Sequence, residues 1–350
     1  MKTLRLIVDP GRVATAEAGE ALERAAQILR GGGLVALPTE TVYGLGANAL
    51  DAAAVERIFA AKQRPAWDPV IVHVGGIEML DCLVSAVPDE AQRLMKAFWP
   101  GPLTLLLPRT RAVPDAVTAG RLLVGVRMPA HPVALELIRR AGVPIAAPSA
   151  NTFGRISPTS AAHVLEDLEG RIDAVLDAGP TLHGVESTVL DPSRSPMTIY
   201  RPGAVTAEQI RETAGAVEIF TSEEKLYETP HEMLPSPGVS LRHYAPRARL
   251  VLVEGSLADL GVRLAEAARS LAADRLGLML PTGIALPADL GSALVFAWGC
   301  WSAPEELARK LYAGLRELDG RGCTTILCPL PPGDGVGAAI RDRLCKGAAK

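Results

Sequence analysis

The sequence predicts an α/β protein made of an N-terminal twisted mixed-sheet domain and a smaller C-terminal Rossmann-like α/β domain. Three observations carry this reading. In the first two hundred residues, apolar runs of four or five residues mix with helical spacing but do not alternate strictly with it. After residue 248 the alternation of strand and helix becomes regular. Between them lies a polar stretch punctuated by Pro230, Pro235, Pro237 and Pro246, which cannot build a packed core of its own. The implied boundaries are a first domain over 1–215, a linker or lid over 216–247 and a second domain over 248–350.

In chain order, Leu22, Ala25, Ala26 and Leu29 fall on one helical face over 17–30, and Gly31-Gly32-Gly33 stops that helix. A buried strand follows from Leu34 to Leu37, closed by Pro38. Asp51 caps a helix carrying Val55, Ile58 and Phe59 and ending near Lys62. Val70–Val74 reads as a strand, Asp89–Phe98 as a helix, and Leu103–Leu107 and Leu122–Val126 as strands. Pro132 opens a helix to Arg140, and Val143–Ala147 is a strand. Ser157-Pro158 predicts another helix start, with Ser at the cap and Pro in the first turn. Asp173–Leu176, Ser187–Leu190 and Met197–Tyr200 complete the first set of strands. In the second domain, strands at 250–253, 276–280, 294–297 and 324–328 alternate with helices at 257–273, 304–318 and from Gly335 onward.

Composition narrows the function classes. The chain has 350 residues, 48% hydrophobic and 21% charged, with net charge −3, so it lacks the global basic footprint of a protein that coats nucleic acid. Its five cysteines, at 82, 300, 323, 328 and 345, are odd in number and irregular in spacing, which reads as idle thiols in a reducing compartment. The apolar runs are too short to cross a bilayer and the N-terminus lacks a signal-peptide core, so a cytoplasmic location is expected, with no membrane contact. Phosphate loops of the GxxxxGK[ST] type, a strand-anchored GxGxxG, a GxSxG elbow and an HExxH helix are all missing from the sequence, and no metal site is expected.

The candidate chemistry lies at strand and helix ends. Thr39, Glu40, Thr41 and Tyr43 follow a buried strand, where open α/β sheets bind ligands. Lys62 and Arg64 end a helix. There they complement the dipole, and there a fork and a point charge can also grip a polyphosphate. His73 sits within a strand and Arg127 near the end of one, the latter able to meet a carboxylate. Ser149 and Asn151 follow the strand ending at Ala147, Ser157 offers a helix start, and Ser187 and Arg201 add polar groups at further strand ends.

Taken together, these segments resemble the threonylcarbamoyl-AMP synthase family in its long, two-domain form. The matching pieces are Pro38-Thr-Glu-Thr-Val-Tyr-Gly-Leu45, Lys62-Gln-Arg-Pro65, Pro69-Val-Ile-Val-His73, Trp99-Pro-Gly-Pro-Leu-Thr104, Val126-Arg-Met-Pro129, Ser149-Ala-Asn151 and Glu186-Ser-Thr-Val189. With the linker and the Gly337-Ala-Ala-Ile-Arg-Asp-Arg-Leu344 tail, the resemblance covers nearly the whole chain. It implies an enzyme that forms threonylcarbamoyl-adenylate and pyrophosphate from L-threonine, bicarbonate or CO2, and ATP with Mg²⁺. The product serves threonylcarbamoyladenosine modification at position 37 of tRNA. The resemblance implies L-threonine contacts at Thr41, His73, Arg127, Ala147 and Ser187. It implies ATP contacts at Lys62, Arg64, Asp68, Leu123, Ser149, Asn151, Ser157, Arg201, Arg242, His243 and Tyr244, with Lys62 and Arg64 catalytic. Downstream threonylcarbamoyl-transfer proteins and a weak contact with tRNA are the implied partners.

Two positions depart from the family pattern. Asp68 stands where Asn is usual, and a carboxylate beside a triphosphate is repelled unless Mg²⁺ or Lys62 intervenes. The linker reads Ser236-Pro-Gly-Val-Ser-Leu-Arg-His-Tyr244, where Met, Lys and an aromatic usually follow the Gly. The competing readings are a carbamoyl-adenylating relative, which usually carries cysteine-rich or acylphosphatase modules that this chain lacks, and a tRNA- or double-stranded-RNA-binding module, against which the acidic balance argues.

Overall fold

The computed structural model describes residues 2–220, 243–271, 275–285, 290 and 292–349. The chain divides into two compact units: Met1–Phe153, Ser157–Leu182 and Glu186–Ser240 in the first, and Gly154–Ile156, His183–Val185 and Leu241–Lys350 in the second.

The first unit runs β1 (Leu4–Ile7), α1 (Ala16–Arg30), β2 (Val35–Pro38), β3 (Tyr43–Asn48), α2 (Ala52–Lys62), β4 (Val72–His73), α3 (Leu80–Leu83), α4 (Asp89–Phe98) and β5 (Leu103–Pro108). It continues through α5 (Asp115–Thr118), β6 (Leu123–Arg127), α6 (Pro132–Ala141), β7 (Ile145–Ala146), α7 (Ala161–Leu168), β8 (Ala174–Asp177), β9 (Thr188–Asp191), β10 (Met197–Arg201), α8 (Ala207–Ala214) and β11 (Val217–Ile219). Among the described residues the strands form one mixed eleven-stranded sheet, in the order β1-β8-β2-β3-β7-β4-β6-β5-β9-β10-β11.

Side-chain alternation along these strands builds a core on each face of the sheet. Val35 and Leu37 of β2 join α1 (Leu22, Ala25, Leu29) and α6 (Val133, Leu137, Ile138) on one face. Ala36 of the same strand joins α2 (Val55, Ile58), α4 (Leu94, Met95) and α7 (Val164, Leu168) on the other. The mixed sheet predicted from irregular alternation is the sheet observed.

Helix ends follow their capping chemistry. Asp51 accepts hydrogen bonds from the amides of Ala53 and Ala54 at the start of α2, as its sequence position predicts. Gln63 then ends α2 in the left-handed region, at φ 55°, and turns the chain into the loop that carries Arg64 and Asp68. The helix expected at Ser157 instead begins at Ala161, with Ser160 as its cap. The carbonyls of Pro158 and Thr159 already accept from the amides of Tyr43 and Thr181, so they cannot serve as first acceptors of a helix. Residues 157–159 are therefore not helical, and Ser157 donates its hydroxyl to Glu186 instead of capping a helix. Strands β1, β3 and β11 and helices α3, α5 and α8 are additions to the sequence reading.

The second unit contains β12 (Arg249–Val253), α9 (Leu260–Ser270), β13 (Leu276–Pro281), β14 (Leu294–Gly299), α10 (Pro304–Gly320), β15 (Thr325–Pro329) and α11 (Val336–Ala348). Its four strands, among the described residues, are all parallel and ordered β12-β15-β13-β14, as the regular alternation predicts. Leu260, Leu264 and Ala268 of α9 pack on Leu278 and Leu327. Trp298 is fully buried, and its indole N–H donates to the Leu307 carbonyl (2.8 Å).

Gly203, just past β10, fixes the approach of two strand ends. A Cβ there would stand 2.5 Å from the Glu186 carbonyl oxygen and still closer to the Thr188 amide nitrogen, with only backbone to yield. Gly203→Ala is therefore expected to destabilise the protein by roughly 1–3 kcal/mol, the usual range for overpacking, measured as a lowered urea midpoint at unchanged m-value.

Candidate functional site

Arg127 ends β6 with its side chain 4% exposed. Its Nε donates to the Gly101 carbonyl (3.0 Å) and its Nη1 to the Thr41 hydroxyl (3.0 Å). Nη2 lies 2.6 Å from Glu40 Oε1, in an ion pair buried on both sides. Thr39 completes the turn by meeting Thr41 Oγ1 at 2.8 Å and donating to the Val42 carbonyl. Burial alone would raise the Glu40 carboxyl, but the charge of Arg127 outweighs it and holds Glu40 below the ordinary 4.5. Glu40 is thus an anion that fixes the guanidinium plane, with Thr41 bound on its edge.

His73 on β4 is the register partner of Arg127 on β6 and of Ile145 on β7. Its burial, helped by the positive charge of Arg127, drives its pKa from 6.5 down to about 3. The imidazole is therefore neutral near pH 7. Its Nδ1 has no hydrogen-bond partner among the described residues, the arrangement expected where a small polar ligand completes the bonding. Ala147 follows β7 with its amide bonded to the Ile71 carbonyl (2.8 Å) and is buried.

Ser187 precedes β9. Its hydroxyl is 2.8 Å from Thr104 Oγ1 and accepts from Arg201 Nη2 (3.1 Å), while its carbonyl accepts from Arg201 Nε (3.0 Å). Ser157 donates to Glu186 Oε1 at 2.5 Å.

The loop after α2 forms the third part. Lys62 is 1% exposed, and its ammonium donates to the carbonyls of Ser149 (2.5 Å) and Asn151. The Lys62 carbonyl in turn accepts from the Phe153 amide (2.8 Å). Burial, then the like charge of Arg64, drives the Lys62 pKa well below 10.5. Lys62 therefore ties the 149–153 segment to the end of α2. Arg64 donates to the carbonyls of Asp68 (3.1 Å) and Pro69 (2.7 Å) and lies 2.9 Å from Asp68 Oδ2. Its guanidinium also stands 5.8 Å from the Phe153 ring centroid. Burial raises the Asp68 carboxyl above the ordinary 3.8 even though Arg64, Lys62, Arg121 and Arg201 all pull it down. One buried carboxylate thus feels the charge of four cationic side chains.

Leu123, at the start of β6, packs beside Trp67 against a small apolar cluster of Ile71, Leu106, Val189 and Tyr200. His243 and Tyr244 belong to the second unit, and Arg242 lies outside the described residues. The structure thus joins Thr41 with Arg127, Ser187 with Arg201, Lys62 with Ser149 and Asn151, and Arg64 with Asp68. It adds Thr104 and Arg121, and it gives Glu40 and Glu186, which the sequence reading noted at strand ends without a ligand role, their partners Arg127 and Ser157. Their signal was present but faint: a charge next to a buried strand must find an opposite charge, and Glu40 and Arg127 both adjoin buried strands. Tyr43 is fully buried, with its hydroxyl committed to the Gly179 carbonyl (2.7 Å) and the Ala178 amide, so it supports the fold. Among the described residues no cluster of three or more His, Cys, Asp or Glu is arranged to hold a metal ion, and no helix is long and apolar enough to cross a membrane.

The Sua5/YciO/YrdC family model, described as telomere recombination, matches residues 27–203, and a model described as threonylcarbamoyl-AMP synthase, C-terminal domain, matches residues 205–349. The chain is 42% identical to threonylcarbamoyl-AMP synthase of Bacillus subtilis over 350 residues, covering 99% of this chain and 98% of that one. Two solved structures of Pyrococcus abyssi Sua5 superpose with a TM-score of 0.88 at 40% identity over 99% of this chain. One of them, covered to 98%, is complexed with L-threonine. The other, covered to 96%, has a neighbouring His and Tyr changed to Ala.

Two outcomes follow from the buried charges. Lys62→Met removes the donor from two carbonyls, and an unsatisfied buried acceptor costs about 1–3 kcal/mol, so urea unfolding should register a loss of roughly 2–5 kcal/mol. For His73 the folded pKa of about 3 lies below the ordinary 6.5. Between those values the unfolded chain binds a proton that the native protein does not, so His73 contributes stability above pH 6.5 that is lost as pH falls toward 3. His73→Gln should flatten that part of the stability–pH curve; an unchanged slope would refute the assignment.

Proposed function

This chain belongs to the threonylcarbamoyl-AMP synthase family, and from that premise we propose how its first unit condenses L-threonine, CO2 or bicarbonate, and ATP into threonylcarbamoyl-AMP and pyrophosphate. The observation that carries the reading is the pairing of two buried arginine centres of different character. Arg127, locked by Glu40 and bonded to Thr41, suits one carboxylate. Arg64 and Arg201, with Arg121 and Lys62 around Asp68, suit a polyphosphate.

In this reading the L-threonine carboxylate meets Arg127, and Thr41, neutral His73, Ala147 and Ser187 line the rest of its site. The substrate amine, as the free base, adds to CO2 and loses a proton to give a carbamate. A carbamate oxygen then attacks the α-phosphorus of ATP in line, the bond to the bridging oxygen breaks, and pyrophosphate leaves with its electron pair. Such a step needs positioning and charge neutralisation rather than a covalent nucleophile. Arg64 and Arg201 neutralise the phosphates. Ser149, Asn151 and Ser157 orient the nucleotide, and Lys62 holds the Ser149–Asn151 segment in place. Leu123 offers apolar contact beside them.

Mg²⁺ arrives as part of the substrate MgATP and shields the triphosphate. The buried carboxylates Glu40 and Asp68 are each engaged by an arginine, which fits an ion carried on the phosphates better than one resident in the protein. The resemblance adds Arg242, His243 and Tyr244 to the nucleotide contacts of this scheme, and excluding water there would protect a labile carbamate. In support, this chain has a single His-Tyr dipeptide, and a His and Tyr pair was the target of substitution in the archaeal relative. The product's use in tRNA modification, by transfer proteins of the cytoplasm and through a weak tRNA contact, belongs to the same proposal.

The test is pyrophosphate release by the pure full-length protein. It should require ATP, bicarbonate and L-threonine together, and release that ignores L-threonine would sink the reading. Arg127→Gln should raise the L-threonine requirement at least about tenfold, since losing a charged hydrogen bond costs roughly 1.5–3 kcal/mol. Asp68 competes with phosphate for Arg64 in a buried pair, so Asp68→Asn should tighten ATP binding by about tenfold or more. In the native protein, protonating Asp68 frees Arg64, so ATP affinity should rise as pH falls through its raised pKa, and the Asn variant should lose that dependence.

A further inference from the structure

Helix α11 of the second unit buries Val336, Gly337, Ala339, Ile340, Arg343, Leu344 and Gly347. Six of these are small or apolar, as an amphipathic helix requires, but Arg343 is not, and its side chain is 0% exposed. A guanidinium on an apolar face is costly to bury, and a Leu or Met there would pack without that cost. What Arg343 touches gives it a directed role. Its guanidinium carbon lies 5.1 Å from the Tyr244 ring centroid, and its Nη1 meets the carboxylate of Asp342, which also pairs with Lys346 (2.6 Å).

Tyr244 itself is in an uncommon state. It is 2% exposed and sits at φ 62°, in the left-handed region that costs a non-glycine residue roughly 1–2 kcal/mol. The surrounding contacts over-determine that conformation. The Tyr312 ring of α10 stacks on Tyr244 at 5.9 Å and 24°, and the His243 ring meets it edge-on at 4.1 Å and 76°. The His243 amide donates to the Lys346 carbonyl (3.3 Å), and a Cβ at Gly347 would come within 3.1 Å of the Tyr244 carbonyl oxygen. Helices α10 and α11 therefore form a seat for one dipeptide, with Arg343 and Tyr312 against its aromatic ring.

We infer that Arg343 is a positioning residue for the synthase reaction, which sets the His243–Tyr244 pair through the Tyr244 ring. This role rests on the function proposed above. It gives the C-terminal helix a task in turnover that no contact with substrate is needed to explain. The guanidinium is the required feature, because it places one nitrogen on Asp342 while its delocalised charge stands over the Tyr244 ring.

The experiment compares the full-length wild type with Arg343→Met, Arg343→Lys, Tyr244→Ala and the Arg343→Met/Tyr244→Ala double variant. Arg343→Met keeps the apolar stem, and far-UV circular dichroism checks folding. At saturating substrates Arg343→Met should lose about tenfold or more in turnover, since a misplacement of about 1 Å can cost 10²-fold, while L-threonine affinity stays unchanged. Arg343→Lys should recover only part of the loss. In the Tyr244→Ala background the Met substitution should add nothing, because both act through one ring. The 19F resonance of 3-fluorotyrosine at position 244, assigned by Tyr244→Phe, should shift in Arg343→Met. Losses that multiply, or full turnover in a folded but less stable Arg343→Met protein, overturn the role. A wild type that releases no threonine-dependent pyrophosphate overturns the proposed reaction and this role with it.

Discussion

Four cationic side chains, Lys62, Arg64, Arg127 and Arg201, are buried inside one α/β unit, and the rest of the site follows from how each is kept there. A cation removed from water needs either an anion or an array of carbonyl dipoles. Arg127 takes both, from Glu40 and Gly101. Lys62 takes two carbonyls, and Arg201 takes the backbone and hydroxyl of Ser187. These partners lie on loops at strand ends. Satisfying the cations therefore helps to fix the loops 39–42, 149–151 and 186–188, alongside the Thr39, Ser157 and Thr188 hydroxyl bonds.

The mixed sheet makes this burial feasible. β4 and β7 contribute only two residues each to the ladder, yet they bring His73, Arg127 and the start of the 147–151 loop together. Helices on both faces keep the surroundings apolar. That is why the His73 imidazole loses its charge and why a single anion at Glu40 suffices to orient Arg127. Long regular strands would have carried the same residues in even alternation onto opposite faces.

Much of this was legible in the sequence where local chemistry decides local structure. Asp51 before an apolar helical stripe gave α2 and its end at Lys62, and Asp89–Phe98 and the regular second unit were equally plain. β3 was not, because Tyr43-Gly-Leu-Gly-Ala-Asn48 has two glycines and low β-propensity, and only its pairing with β2 and β7 makes it a strand. The start of α7 was misread at Ser157 because a distant amide, that of Tyr43, claims the Pro158 carbonyl. In the site, the residue types were readable but the direction of Lys62 was not. A helix-terminal lysine gives no local sign that two carbonyls eighty-odd residues away will accept from it.

The two buried carboxylates divide the site into a rigid and a yielding half. Glu40 is held ionised below its ordinary pKa by one close arginine, so it remains an anion throughout the neutral range, and the geometry of its pair with Arg127 is set before any ligand arrives. Asp68 has four cations near it, yet burial still leaves its pKa raised, so its negative charge is the least secure of the set. In the proposed scheme an incoming phosphate would bring more charge and more acceptors to Arg64 than Asp68 offers, while the Arg64 bonds to the 68–69 backbone remain available to hold its place. Preorganisation therefore belongs to the Arg127 side, where a small ligand must be selected by a few contacts. On the proposed function, adjustability belongs to the Arg64 side, where a large anion would bind, react and leave as a smaller one.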